Sequence, residues 1–252
     1  MAKVLIVCGG TGGHLTPGIA IAEALSARGH ACTLVVSRKK VDSRLIQNYP
    51  SMEFIEAPGA AFSFRPLVFL RFLWMQCCAC IFAIHLLSKK KPDLILGFGG
   101  FLSAGIALPG FLRGIPFALH EANRVVGRSN RLLSRLADRV FLPVGVQLKG
   151  GRAVRILHVG LPLRKEFICM KKEVAREQLG IHPSEKLLVI FGGSQGASSL
   201  NEWAQVNCQA LAEKGVSIYC LTGLRKELPC EVVSDTDSFG SVRSWFMPFS
   251  DT

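Results

Sequence analysis

Acidic side chains are scarce in this chain: 18 Asp and Glu stand against 30 Lys and Arg, a formal net charge of +12 over 252 residues. Such a basic excess asks for an anionic partner, but no recognisable RNA- or DNA-binding module occurs. The basic residues are not interleaved with aromatics in a sheet pattern either, which argues against nucleic acid. The nine cysteines are odd in number, and Cys77, Cys78 and Cys80 sit inside one apolar stretch. They are read as small buried hydrophobes in a reducing compartment, with no disulfide framework and no zinc site. No signal peptide precedes the first apolar run, so a cytoplasmic location is expected. The nicotinamide fingerprint GxGxxG lacks its third glycine, since Leu15 stands three residues after Gly12, and no GxxxxGK phosphate loop occurs.

What is present is a repeated unit. Val4-Leu5-Ile6-Val7-Cys8 leads into Gly9-Gly10-Thr11-Gly12-Gly13-His14, and Leu187-Leu188-Val189-Ile190-Phe191 leads into Gly192-Gly193-Ser194-Gln195-Gly196. The offset is 183 positions for both strands and both turns, from Val4 to Leu187 and from Gly9 to Gly192. Each apolar run lacks polar alternation, as a parallel strand buried on both faces does. A helix is expected after each turn: the first with Thr16 as N-cap, Pro17 at its first position and Gly29 at its end, the second capped by Ser198 or Ser199 and ended by Gly215. Strand, glycine turn and helix together make an anion site, because the first N–H groups of a helix lack intrahelical partners and its dipole favours negative charge there.

With 49% hydrophobic residues, the chain can bury a core in one large or two moderate domains. Strands are expected near 3–8, 32–36, 93–98, 116–120, 139–142 and 155–158, with helices near 17–28, 41–48, 66–88, 102–112 and 127–136. The alternation breaks at Leu161-Pro162-Leu163-Arg164, and a polar stretch from Lys165 to Lys186 follows. A domain boundary at about 164 is therefore expected. The resulting class is α/β, two Rossmann-like parallel-sheet domains spanning 1–164 and 165–252.

Two more loops of the first domain carry chemistry. Gly97-Phe98-Gly99-Gly100-Phe101 can bring backbone N–H groups near a phosphate, and His120-Glu121-Ala122-Asn123 follows a strand, where doubly wound sheets place ligand-binding residues. His14, at the opening of the first helix, sits at a positive dipole end that favours its neutral imidazole, a form able to take a proton. Asp235-Thr236-Asp237 has the DxD pattern of manganese sites, but in a run of Ser, Thr and Gly with no strand ahead it reads as a solvated loop. From Phe62 to Leu87 the chain is strongly apolar, edged by Arg65, Arg71, Lys89, Lys90 and Lys91. Its longest uncharged part, Phe72–Ser88, is 17 residues, marginal for spanning a bilayer. It fits either a buried α/β helix or a peripheral contact with an anionic membrane surface, each nearby Lys or Arg adding about 1 kcal/mol.

The segments GGTGGHLTPGIAIAEAL, GFGGFLSAG, HEANRVVGRSN, GLPLR and GGSQGASSLN occur in one order along the whole chain, and together they resemble the MurG family of N-acetylglucosaminyltransferases (glycosyltransferase family 28). The resemblance implies a GT-B fold and inverting, metal-independent transfer of N-acetylglucosamine without a cofactor. The donor would be UDP-N-acetylglucosamine and the acceptor the 4-hydroxyl of undecaprenyl-pyrophosphoryl-MurNAc-pentapeptide, at the cytoplasmic face of the inner membrane. It implies His14 as general base, and Thr11, Gly12, Gly13, Asn123, Arg164 and Ser194 as substrate-binding residues, with Glu121 and Gln195 as neighbours. Another GT-B nucleotide-sugar enzyme, such as an epimerase or a glycolipid synthase, and an inactive membrane-associated fragment are the alternatives. The family also implies more donor-domain sequence than residues 165–252 provide, including an acidic residue on the ribose and a further glycine-rich stretch. Weak binding of the UDP-sugar by this polypeptide is the expectation.

Overall fold

In β1 (Lys3–Val7) every residue after Lys3 is buried, and the reason is visible in where the side chains go. Val4 and Ile6 join one apolar cluster with Leu15, Ile19 and Ala22, whereas Leu5 and Val7 join a second with Ala83, Ile106 and Phe117. Side chains alternate across a strand, so a run that is apolar at every position needs cover on both faces. Full burial of one such Ile or Leu contributes roughly 1.5–3 kcal/mol.

The computed structural model describes residues 1–9, 12–37, 45–59, 66–148, 155–167, 169–193, 196–223, 231–236 and 240–248. They divide into two compact units, Met1–Phe167 and Ile168–Thr252.

The first unit holds β1, α1 (Gly12–Ser26), β2 (Ala31–Ser37), β3 (Glu53–Ala57), α2 (Pro66–Lys90), β4 (Leu94–Gly97), α3 (Gly100–Leu112), β5 (Phe117–His120), α4 (Arg128–Leu133), β6 (Arg139–Pro143) and β7 (Arg155–Val159). The seven strands form one sheet in the order β3-β2-β1-β4-β5-β6-β7, every pair parallel. That is the doubly wound order, whose direction of winding reverses between β1 and β4. Close approaches fix the helices: a Cβ on Gly18 of α1 would lie 2.6 Å from the Cβ of Cys8, and one on Gly105 of α3 would lie 2.7 Å from that of Ala79 in α2. Cys8 is thereby sealed under α1, with no exposed surface.

α2 is two-sided. Ala79, Ala83, Leu86 and Leu87 are buried, while Leu67, Leu70, Trp74, Ile81 and Ile84 are exposed at spacings of three, four and seven that mark one helical stripe. Its stretch Leu70–Lys90 is, among the described residues, the one helix long and apolar enough to cross a membrane.

The second unit contains α5 (Lys172–Gln178), β8 (Lys186–Phe191), α6 (Ser198–Ala212), β9 (Val216–Leu221), β10 (Glu231–Thr236) and β11 (Gly240–Met247). Its sheet runs β10-β11-β9-β8; β8, β9 and β11 are parallel, and β10 pairs antiparallel with β11. Ile190, Ala204, Ile218, Cys220 and Phe246 make the core. Asn201 of α6 donates to the Thr222 carbonyl at 2.8 Å, tying helix to sheet.

Four sequence expectations need correction. α1 starts at Gly12, with Thr16 and Pro17 inside it, because the glycines let the chain turn into helix directly. Pro17, in the second turn, cannot donate to the Gly13 carbonyl, yet α1 continues past it to Ser26. The cap of α6 is Ala197, with no side-chain hydrogen bond. Cys77 of α2 is exposed and Cys78 and Cys80 are half-buried, not the buried hydrophobes expected, because three residues so close in a helix point to different sides of it. Asp235 and Thr236 belong to β10, opposite Ser241 and Gly240: Val232 and Val233 extend the chain, and Ser241 donates to Asp235 at 2.6 Å. Asp237 lies outside the described residues.

Candidate active site at the carboxyl edge of the first sheet

At the reversal of winding, α1 and α3 follow β1 and β4 and pack on opposite faces of the sheet. The two helix starts are neighbours: a Cβ on Gly100 would be 4.0 Å from Cε1 of His14. Neither helix has an acidic residue in its first turn. Two positive dipole ends and their N–H groups thus converge around a half-buried imidazole. The turn from β4 into α3 needs glycine twice over: Gly99 and Gly100 have φ of 97° and 73°, and a Cβ on Gly99 would fall on the Asn130 amide. Ser103 of α3 donates to the Gly99 carbonyl at 2.7 Å.

Beside this turn, β5 ends in two buried polar residues. His120 is 3% exposed, and its ring packs on Phe98 with centroids 5.0 Å apart. Neither ring nitrogen has a hydrogen-bond partner among the described residues. Burial drives its pKa down to about 4, against a smaller upward pull from Glu121. Glu121 is 1% exposed and its carboxylate turns into its own loop. Oε1 accepts from the backbone N–H and Nδ2 of Asn123 at 2.9 and 2.7 Å, and Oε2 from the Gly127 N–H and Asn130 Nδ2 at 3.0 and 2.9 Å. Four donors on one carboxylate hold residues 121–130 in a fixed arch.

Of the residues expected to act, Gly12 and Gly13 form the first two positions of α1, with His14 next, while Thr11, Ser194 and Gln195 lie outside the described residues. Asn123 is exposed on the arch with its Nδ2 held by Glu121. Arg164 donates from Nη1 to the Tyr49 hydroxyl at 2.9 Å. In the second unit, Gly192 and Gly196 shape a tight turn: a Cβ on Gly192 would lie 2.5 Å from the Ala197 nitrogen, and the Gly196 N–H donates to the Gly193 carbonyl at 2.9 Å. Sequence reasoning gave no role to Asn130, Phe98 or Tyr49. Asn130 stands in the quoted HEANRVVGRSN segment, but nothing in its spacing says that its amide completes a buried carboxylate.

The model of the glycosyltransferase family 28 N-terminal domain matches residues 4–142, more than half of the chain. The chain belongs to glycosyltransferase family 28. Among its family 28 relatives, an N-acetylmuramyl-(pentapeptide) pyrophosphoryl-undecaprenol N-acetylglucosamine transferase of Opitutus terrae is 47% identical over 251 residues, covering 100% of this chain and 67% of that protein. The same-named protein of Verminephrobacter eiseniae is 37% identical, over 79% of this chain and 54% of its own length. The chain thus spans between about half and two thirds of the curated relatives it matches. Among solved structures, Acinetobacter baumannii MurG superposes with a TM-score of 0.64 at 20% identity, over 100% of this chain and 69% of that one. A UDP-GlcNAc 2-epimerase of Neisseria meningitidis bound to UDP-GlcNAc gives 0.60 at 13%, over 88% and 66%. These likenesses establish the GT-B architecture.

Proposed function

We propose that this family 28 chain serves the transfer of N-acetylglucosamine from UDP-N-acetylglucosamine to the 4-hydroxyl of undecaprenyl-pyrophosphoryl-MurNAc-pentapeptide, with inversion and without a metal. The names of its relatives supply the substrates. The observation that carries the chemistry is the placement of His14 where the first turns of α1 and α3 meet.

In this reading His14 takes the proton of the acceptor hydroxyl as its oxygen attacks the anomeric carbon. The bond from that carbon to the β-phosphate oxygen breaks, and UDP leaves with the electron pair. Attack opposite to departure inverts the centre. Negative charge grows on the diphosphate, and helix N-termini already aimed at an anion stabilise it without reorganising. Gly12 and Gly13 bring first-turn N–H groups to the substrate, and Thr11, Asn123, Arg164 and Ser194 act as its side-chain contacts. Residues 1–164 are assigned to the acceptor and the membrane, residues 165–252 to part of the donor site. The exposed stripe of α2, followed by Lys89, Lys90 and Lys91, is assigned to the anionic inner-membrane surface on the cytoplasmic side, where a lipid-linked acceptor resides.

The test is transfer of radiolabelled N-acetylglucosamine to a muramoyl lipid acceptor, by this chain and by the chain extended to the length of its relatives. His14→Ala should lower turnover of the active form by about 10²–10⁴; undiminished transfer refutes the assignment of the base. Unchanged rates in EDTA are expected, and a metal requirement would remove that part of the mechanism. Transfer only to other acceptors, or epimerisation of the sugar, would favour a different GT-B enzyme.

A further inference from the structure

Arg164 has a partner that no motif announces. Tyr49, 6% exposed, lies in the apolar cluster between α1 and the sheet, and its hydroxyl is held from two sides. It accepts from Arg164 Nη1 at 2.9 Å and donates to Glu166 Oε2 at 3.2 Å. One residue between these two, Lys165 donates its backbone N–H to Glu23 Oε2 on α1 at 3.2 Å, and its ammonium lies 3.5 Å from Glu23 Oε1. The Phe167 N–H closes a turn onto the Arg164 carbonyl at 3.0 Å. The first unit ends at Phe167, so the last residues before the second unit are fastened to the first one side chain after another.

We propose that Tyr49 is a positioning residue: its hydroxyl fixes the guanidinium of Arg164 and, together with Glu23, fastens residues 164–167 to the first unit. The functional half of this rests on the reading above in which Arg164 meets the nucleotide sugar; the fastening does not. A phenol is suited to the place because one O–H can donate to a carboxylate while its lone pairs accept from a guanidinium. Burial raises the Tyr49 pKa, outweighing the opposing pull of Arg164, so the donor proton stays on the ring oxygen. Phenylalanine would fill the same apolar space and leave both ions without their shared partner. An arginine held in advance gives up less side-chain freedom when an anion arrives, and loss of that preparation should weaken binding roughly tenfold.

The experiment is peptide-resolved hydrogen exchange on the 252-residue chain and its Tyr49→Phe variant. Exchange in the 161–167 peptide should rise about tenfold, with β1 and β2 peptides unchanged. Arg164→Ala should give a similar rise, and the double variant no further one. Unaltered exchange in Tyr49→Phe, or rises that simply add, would overturn the proposal. UDP-N-acetylglucosamine titrations of the chain extended to the length of its relatives separate the two readings: Tyr49→Phe should weaken affinity when Arg164 is present and have no effect in Arg164→Ala. Wild-type affinity in Arg164→Ala, with an opened 161–167 peptide in Tyr49→Phe, would remove Arg164 from the nucleotide site and leave the fastening in place.

Discussion

Lowering the pH should destabilise the first unit through His120 before the carboxylates are reached. Its folded pKa of about 4 lies below the 6.5 of an unhindered imidazole, so the unfolded chain binds the proton first. Stability from this group is therefore complete well above pH 6.5 and is lost as pH falls through 6.5 towards 4. Linkage between those two values gives about 2 kcal/mol lost at pH 5 relative to pH 7.5, and about 3 kcal/mol once pH is below 4. The assay is NMR of the chain labelled at histidine Cε1, in which His120→Gln identifies the resonance. Urea titrations at pH 7.5 and 5.0, followed by the native signals of the first unit, give the stability difference. The His120 signal should keep its neutral form down to about pH 4, and His120→Gln should remove about 2 kcal/mol of the pH dependence. A His120 midpoint near 6.5, or a pH dependence identical in the variant, would refute the argument from burial.

Three other outcomes follow from the packing. Glu121→Ala removes the acceptor of four donors and should cost about 2–5 kcal/mol, read from urea midpoints; a loss under 0.5 kcal/mol would show that the arch holds without it. Gly105→Val would force α3 away from Ala79 of α2, whose Cβ lies 2.7 Å from the added one, and should cost about 1–3 kcal/mol in thermal unfolding. Trp74→Glu, on the exposed stripe of α2, should lower partitioning onto vesicles of anionic phospholipid by at least about tenfold; unchanged sedimentation with vesicles would send the membrane contact elsewhere.

Much of the fold was legible because the central strands β1, β4 and β5 are buried on both faces and so read as unbroken apolar runs, and because Gly29 and Gly215 take the positive φ that ends a helix. β3 was not legible: Glu53-Phe54-Ile55-Glu56-Ala57 mixes charge into a strand that, among the described residues, pairs with β2 alone. Glu53 there accepts from Thr33 at 2.7 Å and from Lys90, partners that come from distant parts of the chain. β10 was hidden in the same way, since its polar residues are those of an edge strand. At the site, the glycine turns and His14 announced themselves by type and position. The inward turn of the Glu121 carboxylate, the isolation of His120 and the meeting of Tyr49 with Arg164, 115 positions apart, depend on tertiary packing that no local pattern encodes.

Cys8 in the first unit and Cys220 in the second are both wholly enclosed, one beneath α1 and the other in the core against α6 and β11. A thiol reagent can reach either only when its own unit opens. Each half of the molecule thus carries its own chemical clock, and pulsed alkylation followed by mass spectrometry would time the two openings separately in a single sample.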